Sequence, residues 1–269
     1  MRDDMDIESG RGGQNWLNNM LISIMFLSRL PVPGAPPHPA SMAQVMGAFP
    51  LAGLVIGLIG GLVCALSSSL GLPPTVSAVA TIAFMTLITG ALHEDGLADL
   101  ADGFGGGQTK ERKLAIMKDS RIGAYGVLAL IFAVGLKITA LSAILQKDAS
   151  FLAIIALFAA LAAWSRSLCV TLMATTPNAR GQGVAASVGQ PGTEENRTAL
   201  IIGAASAVLL LWPTFGIWAT LAVFASSLAA FWLVRTLCLR HIGGHTGDVA
   251  GTVQVAAETA MLMALAAAV

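Results

Sequence analysis

Seven apolar stretches dominate this sequence and leave few folds open to it. They cover about residues 46–70, 75–92, 124–146, 151–174, 199–214, 216–234 and 252–269. Each is long enough, or nearly so, to cross about 30 Å of hydrocarbon as a helix rising about 1.5 Å per residue. A helix satisfies its backbone N–H and C=O groups internally, as a lipid surrounding requires. Composition agrees, since 55% of the 269 residues are hydrophobic and 11% charged, against about a quarter charged in an ordinary soluble domain. The expected fold is all-α, a polytopic membrane helix bundle of about seven transmembrane helices. The breaks carry turn chemistry: "GLPP" at 71–74, "QKD" at 146–148 and "WPTFG" at 212–216.

Ahead of the first span, "WLNNMLISIMFLSRLPVPG" is apolar for only about a dozen residues, too short to cross. A short interfacial or re-entrant helix is expected there. Residues 1–15 carry Asp3, Asp4, Asp6 and Glu8 without an apolar run, the wrong character for a secretory signal. They are expected to be a disordered cytoplasmic tail, leaving 16–269 as a single transmembrane domain. Gly53 and Gly57 make a small-xxx-small step, serving packing within the bundle or, as the less favoured reading, a contact between copies in a homo-oligomer.

Charge orients the bundle. With the 93–123 segment cytoplasmic, alternation puts every Lys and Arg outside the spans on that side except Lys147, the asymmetry of the positive-inside rule. All long polar loops then share one face, where the chemistry must lie. Fifteen basic and fifteen acidic residues cancel, so no bulk field recruits nucleic acid. Cys64, Cys169 and Cys238 lack metal-type spacing and read as small buried hydrophobes, with no disulfide or zinc site expected.

The first long loop opens with "HEDGLADLADGFGGG", His93 to Gly107, four carboxylates where an apolar run meets water. On a helix Asp95, Asp99 and Asp102 stand at i, i+4 and i+7 on one face. They repel one another there, and a divalent cation between them would remove the cost. Oxygen donors with histidine only at the edge suit a hard ion such as Mg²⁺; the alternative is a solvated acidic helix end. Gly103, Gly105, Gly106 and Gly107 leave N–H groups uncovered that could form an anion-binding concavity. The loop continues to Lys118, Asp119 and Arg121, a cationic clamp for a pyrophosphate.

A later loop, "RHIGGHTGDVAG", sets Arg240, His241, His245 and Asp248 among glycines; Asp248 reads either as a site residue or as the cap of the last span. Glu258 and Arg166 lie within spans, where ionisable groups are functional suspects. Arg166 is expected to face the interior and pair with an acid, Glu258 to orient or neutralise a partner, and Lys137 merely to snorkel. Arg180 in "TTPNARGQG" reads equally as a substrate contact or a topological anchor.

Taken in order, "HEDGLADLADGFGGG", "ERKLAIMKDSRIGAYGVLAL", "ATTPNARGQG" and "GGHTGDVAG" with Glu258 downstream resemble the cobalamin synthase family, the adenosylcobinamide-GDP ribazoletransferases of the bacterial inner membrane. The resemblance runs from "FLSRLPVP" to the end. Thr252, where the family often has a smaller residue, is a minor departure. The resemblance implies a Mg²⁺-dependent transfer in which the corrinoid phosphate of adenosylcobinamide-GDP passes to a ribose hydroxyl of α-ribazole, or of its 5'-phosphate, and GMP leaves. Metal ligands would come from Glu94, Asp95, Asp99 and Asp102. Lys118 and Arg121 would meet charge developing on GMP, and Asp119 or Asp248 would take the hydroxyl proton. Substrate-binding roles would fall to His93, Gly103, Gly105, Gly106, Arg166, Arg180, Gly243, Gly244, His245, Thr246 and Glu258. A CDP-alcohol phosphotransferase is the rival enzyme reading. A transporter is the rival of another class, disfavoured because the acids crowd one interface and no internal repeat is found.

Overall fold

The computed structural model of the protein describes residues 16–34, 41–147, 149–180 and 189–268; the acidic segment 1–15 lies outside them. The described chain comprises α1 (Trp16–Leu27), α2 (Met42–Val45), α3 (Phe49–Ser69), α4 (Pro74–Thr89), α5 (Leu92–Gly106), α6 (Lys110–Ile116), α7 (Ala124–Leu145), α8 (Phe151–Thr175), α9 (Thr193–Ile242) and α10 (Gly247–Ala268). Among the described residues five helices are long and apolar enough to cross a membrane, and α4 with α5 makes a sixth candidate bent by 90°. This is a multi-pass membrane protein. The short α1 packs Ile24 and Leu27 into the bundle.

α9 accounts for two crossings. Its fifty residues would reach about 75 Å if straight. Gly216, three residues after Pro213, instead has φ 82° and ψ 169°, a conformation glycine adopts without steric cost. Both limbs return to α8. On the first, Ala199 O accepts from Ser167 Oγ at 2.8 Å; on the second, Ser227 Oγ accepts from Trp164 Nε1 at 2.9 Å. The turn residues Pro213 and Phe215 lie beside Ser150 and Ala153 at the start of α8. The limbs therefore form a hairpin, and among the described residues the bundle has seven legs with α4 counted as one. Trp212 and Trp218 are exposed near the turn, while Trp232 near the other end lies under Arg235 at 5.0 Å. Tryptophans so placed suit the two membrane interfaces.

α8 is the central helix. Its alanine-rich middle is buried on nearly every face from Ala153 to Met173, as expected for a helix apolar all round. α3 lies against it through Gly53, Gly57 and Gly61. A Cβ at Gly53 would stand 2.5 Å from Ala162 O, and one at Gly61 2.7 Å from Ile155 Cα. The small-xxx-small step is thus filled by α8 of the same chain. Gly57→Leu should drive these backbones apart, and overpacking at a close crossing costs about 1–3 kcal/mol or more. The expected result is loss of the monodisperse detergent-purified species; a wild-type elution profile and melting temperature would show that the crossing tolerates separation.

The bend between α4 and α5 rests on two left-handed residues, Gly90 at φ 65° and Ala91 at φ 56°. Ala91 N donates to Thr86 O at 2.8 Å, closing the end of α4. Arg29 N donates to Ile88 O at 2.6 Å, pinning the stretch after α1 to the same corner. α5 therefore leaves the span and runs along the face of the bundle.

Candidate active site

α5 and α10 cross where neither carries a side chain. A Cβ at Gly96 would stand 2.8 Å from Asp248 O, and one at Gly251 3.1 Å from His93 O. Thr252 Oγ1 lies at the same crossing, 2.8 Å from Asp248 O and 3.1 Å from Gly96 O, so the departure noted in the sequence adds a polar tie between the helices. The crossing brings Asp95 and Asp99 of α5 towards Asp248 of α10.

Asp99 feels the others most. Burial first, then the charges of Asp248 and Asp95, push the Asp99 carboxyl up to about 6. A crowd of carboxylates held at this cost is a cation-seeking arrangement. Among the described residues no three His, Cys, Asp or Glu side chains already converge as a finished metal site. Asp95 and Asp99 nevertheless fit a hard divalent ion, because Mg²⁺ is commonly held by one or two carboxylates together with substrate phosphates.

Asp102, the third member of the acidic face, is engaged elsewhere. It is buried and accepts from Gly123 N at 2.6 Å and Gly126 N at 2.9 Å, so both oxygens fasten the start of α7, where a negative charge is favoured. A Cβ at Gly123 would meet the Asp102 carboxylate at 2.5 Å. The glycine run beside it also differs from expectation. Gly103 to Gly106 form the last turn of α5, Gly103 lying against Met117 and Gly105 beneath the Tyr125 ring. They serve close packing, not an open N–H concavity, and buried Lys113 covers the end by donating from Nζ to Gly107 O.

Two clefts meet at Asp95. The polar one is lined by Asp95, Asp99, Lys118 and Asp119. There Asp119 is gripped by exposed Arg121, with an Nη2 to Oδ2 separation of 2.6 Å, and these hydrogen bonds hold its carboxyl down at about 2. The second cleft, mostly apolar, is walled by α1, α3, α5, α8 and α10, and Asp95, Asp248 and Gly247 are among its lining residues.

The loops behind Asp248 are paired. Asn178 and His245 form a parallel bridge, with Ala179 N donating to His245 O and His245 N to Pro177 O, both at 2.8 Å. Gly243 ends α9 at φ 73°, and Gly244 fits against Pro177 O, where a Cβ would collide. His245 is buried beside Thr176, its Nδ1 3.0 Å from Thr176 Oγ1, and burial lowers its pKa. Thr246, not Asp248, caps α10 by accepting from Val249 N at 3.3 Å. Asp248 is left to meet Arg180 at 3.3 Å, and Arg180 is anchored in turn on Leu114 O at 3.3 Å.

Glu94, Glu258, Lys137, Arg166, His93 and Gln254 gather at a small cavity deeper in the bundle. Glu258 lies 2.6 Å from Lys137 and 3.7 Å from Arg166, so Arg166 pairs with an acid as expected. Lys137 corrects its sequence reading: it is buried at 4% exposure and does not snorkel. The nearer end of α7, Leu145, lies eight residues of helix or about 12 Å away, beyond the reach of a lysine side chain. Glu94 lines this cavity and not the polar cleft of Asp95 and Asp99, and its Oε2 is buried without a hydrogen-bond partner. The cavity holds about 20 Å³, room for roughly one water and too little for a transported solute.

Helical spans that carry paired aspartates, a lysine and two clefts sharing Asp95 define a multi-pass membrane bundle with a polar candidate site. The chain belongs to the cobalamin-5-phosphate synthase family, whose model matches residues 19–266. It is similar to adenosylcobinamide-GDP ribazoletransferases from Rhizobium etli, 42% identical over 91% of this chain and 95% of that protein, and Azorhizobium caulinodans, 43% over 90% and 92%. The Bradyrhizobium diazoefficiens protein of that name is 43% identical over 94% of this chain and 95% of its own. No solved structure matches the chain.

Proposed function

We propose that the protein joins adenosylcobinamide-GDP to α-ribazole or its 5'-phosphate with release of GMP, at the cytoplasmic face of the bacterial inner membrane. The observation that carries this reading is that Asp95 borders both clefts. A pyrophosphate in the polar cleft and a nucleoside in the apolar one would meet at this carboxylate. Asp95 and Asp99 would hold Mg²⁺, which when bound supplies positive charge to the pyrophosphate oxygens. Lys118 faces the same oxygens as charge passes to the departing GMP. Asp248, held by Arg180 and Thr246, accepts the proton of the ribose hydroxyl. Asp119, doubly engaged by Arg121, is too weak a base for that role and orients the cationic side of the cleft.

The test is direct. Purified protein given both substrates and Mg²⁺ should release GMP in step with the complete corrinoid, and EDTA should stop both. Without α-ribazole little GMP should appear, because the nucleophile is the ribazole hydroxyl and a closed site excludes water. CMP release from CDP-diacylglycerol, with no GMP under any condition, would overturn the assignment in favour of a CDP-alcohol phosphotransferase.

A further inference from the structure

The apolar cleft is more specific than a greasy hollow. It encloses about 210 Å³, too little for a corrin macrocycle with its side arms. Its walls include Phe26, Met46, Phe49 and Met173, and the side-chain N–H groups in its lining are those of His93 and Arg166. Both are nine-tenths or more buried, at 5% and 1% exposure. Asp95, Asp248 and Gly247 also line it, and Asp95 is shared with the polar cleft. The fitting occupant is mainly apolar, carries little more than one hydrogen-bond acceptor, and bears a hydroxylated group that can meet the carboxylates. Guanine, with several donors and acceptors on one edge, would leave polar atoms against methionine and phenylalanine. A phospholipid would bring its phosphate against two carboxylates.

We propose that this cleft receives the aromatic base of the nucleoside substrate. A dimethylbenzimidazole has two methyl groups for the apolar walls and one ring nitrogen able to accept from Arg166 or His93. The ribose then projects towards Asp248, which takes the hydroxyl proton. This placement rests on the transfer reaction proposed above.

Ala250 lines the cleft and is buried, and it belongs to neither the metal-binding nor the proton-accepting groups, so Ala250→Leu fills the space without touching either. Equilibrium dialysis of radiolabelled α-ribazole against the full-length detergent-purified chain should show binding weakened about tenfold or more. In turnover KM for α-ribazole should rise by a similar factor, while kcat and KM for adenosylcobinamide-GDP stay within about threefold, the signature of lost binding alone. Met173→Ala, which enlarges the cleft, should improve kcat/KM for a riboside of a bulkier dialkylbenzimidazole relative to α-ribazole, and it decides the matter if the leucine variant does not fold. A rise confined to KM for the corrinoid, unchanged constants in both variants, or a copurified phospholipid that α-ribazole cannot displace would overturn the placement. Turnover with an unaltered ribazole KM would refute the cleft and leave the reaction standing. Ribazole binding lost in Ala250→Leu, with no turnover by the wild-type protein, would refute the reaction and leave the cleft standing.

Discussion

Asp99→Asn should insert, purify and melt like the wild-type protein, yet turn over about 10²–10³-fold more slowly, the scale expected when one preorganised electrostatic partner of a reacting phosphate is removed. The substitution keeps the shape of the side chain and removes one negative charge from the crowded Asp95, Asp99 and Asp248 group. Because those charges already raise the Asp99 carboxyl to about 6, neutralising it relieves repulsion, so stability should hold or rise while cation binding falls. Asp102→Asn should behave in the opposite way. Its two backbone bonds to Gly123 and Gly126 cannot both be accepted by an amide, and a buried donor left unsatisfied costs about 1–3 kcal/mol. Its melting temperature should therefore drop, with kcat of the surviving protein far less affected than in Asp99→Asn. Kinetics at saturating and limiting Mg²⁺, alongside thermal unfolding of both variants, separate the two roles. Equal activity of Asp99→Asn and wild type at limiting Mg²⁺ would return this face to a solvated helix end.

Glu258→Gln should cause the largest loss of folded protein. Removing one member of a buried ion pair leaves the other charged and uncompensated, at about 3–5 kcal/mol. Here the deficit falls on Lys137 at 2.6 Å and Arg166 at 3.7 Å together, with Glu94 alone left to answer two cations. Lys137→Met combined with Glu258→Gln restores the balance of charge, so the double variant should be more stable than Glu258→Gln alone. Detergent-solubilised yield and thermal unfolding of the set read this out as a coupling energy. A Glu258→Gln protein as stable as wild type would mean that water or lipid headgroups reach the cluster and that it is not sealed.

The spans were legible because hydropathy and length act locally, and the Gly216 turn was foreshadowed by Pro213 and Gly216 lying in one short segment. What remained hidden depends on partners distant in sequence. Helical spacing puts Asp95, Asp99 and Asp102 on one face, but it cannot show that the N-terminal amides of α7 occupy the third. The glycines at 103–106 read as an open loop with uncovered N–H groups until Met117 and Tyr125 are seen against them. Gly96 and Gly251, which create the crossing that assembles the site, show in the sequence only as glycines inside helices with no turn beside them. For Lys137 the sequence supplies depth but not partner: eight residues of helix separate it from the nearer end of α7, and Glu258, which holds it, lies 121 residues further on.

The buried charges also impose an order on how the protein is made. Lys137 and Arg166 are on α7 and α8, whereas Glu258, which lies between them and completes the cluster, is on α10. Synthesis runs from the N-terminus, so two cationic helices are delivered before their anionic partner exists. A charge at the centre of an isolated span is costly, and until α10 arrives these helices depend on Glu94 or on staying beside the insertion machinery. Chains that stall before α10 therefore hold a basic pair within the bundle without the carboxylate that joins the two in the folded protein.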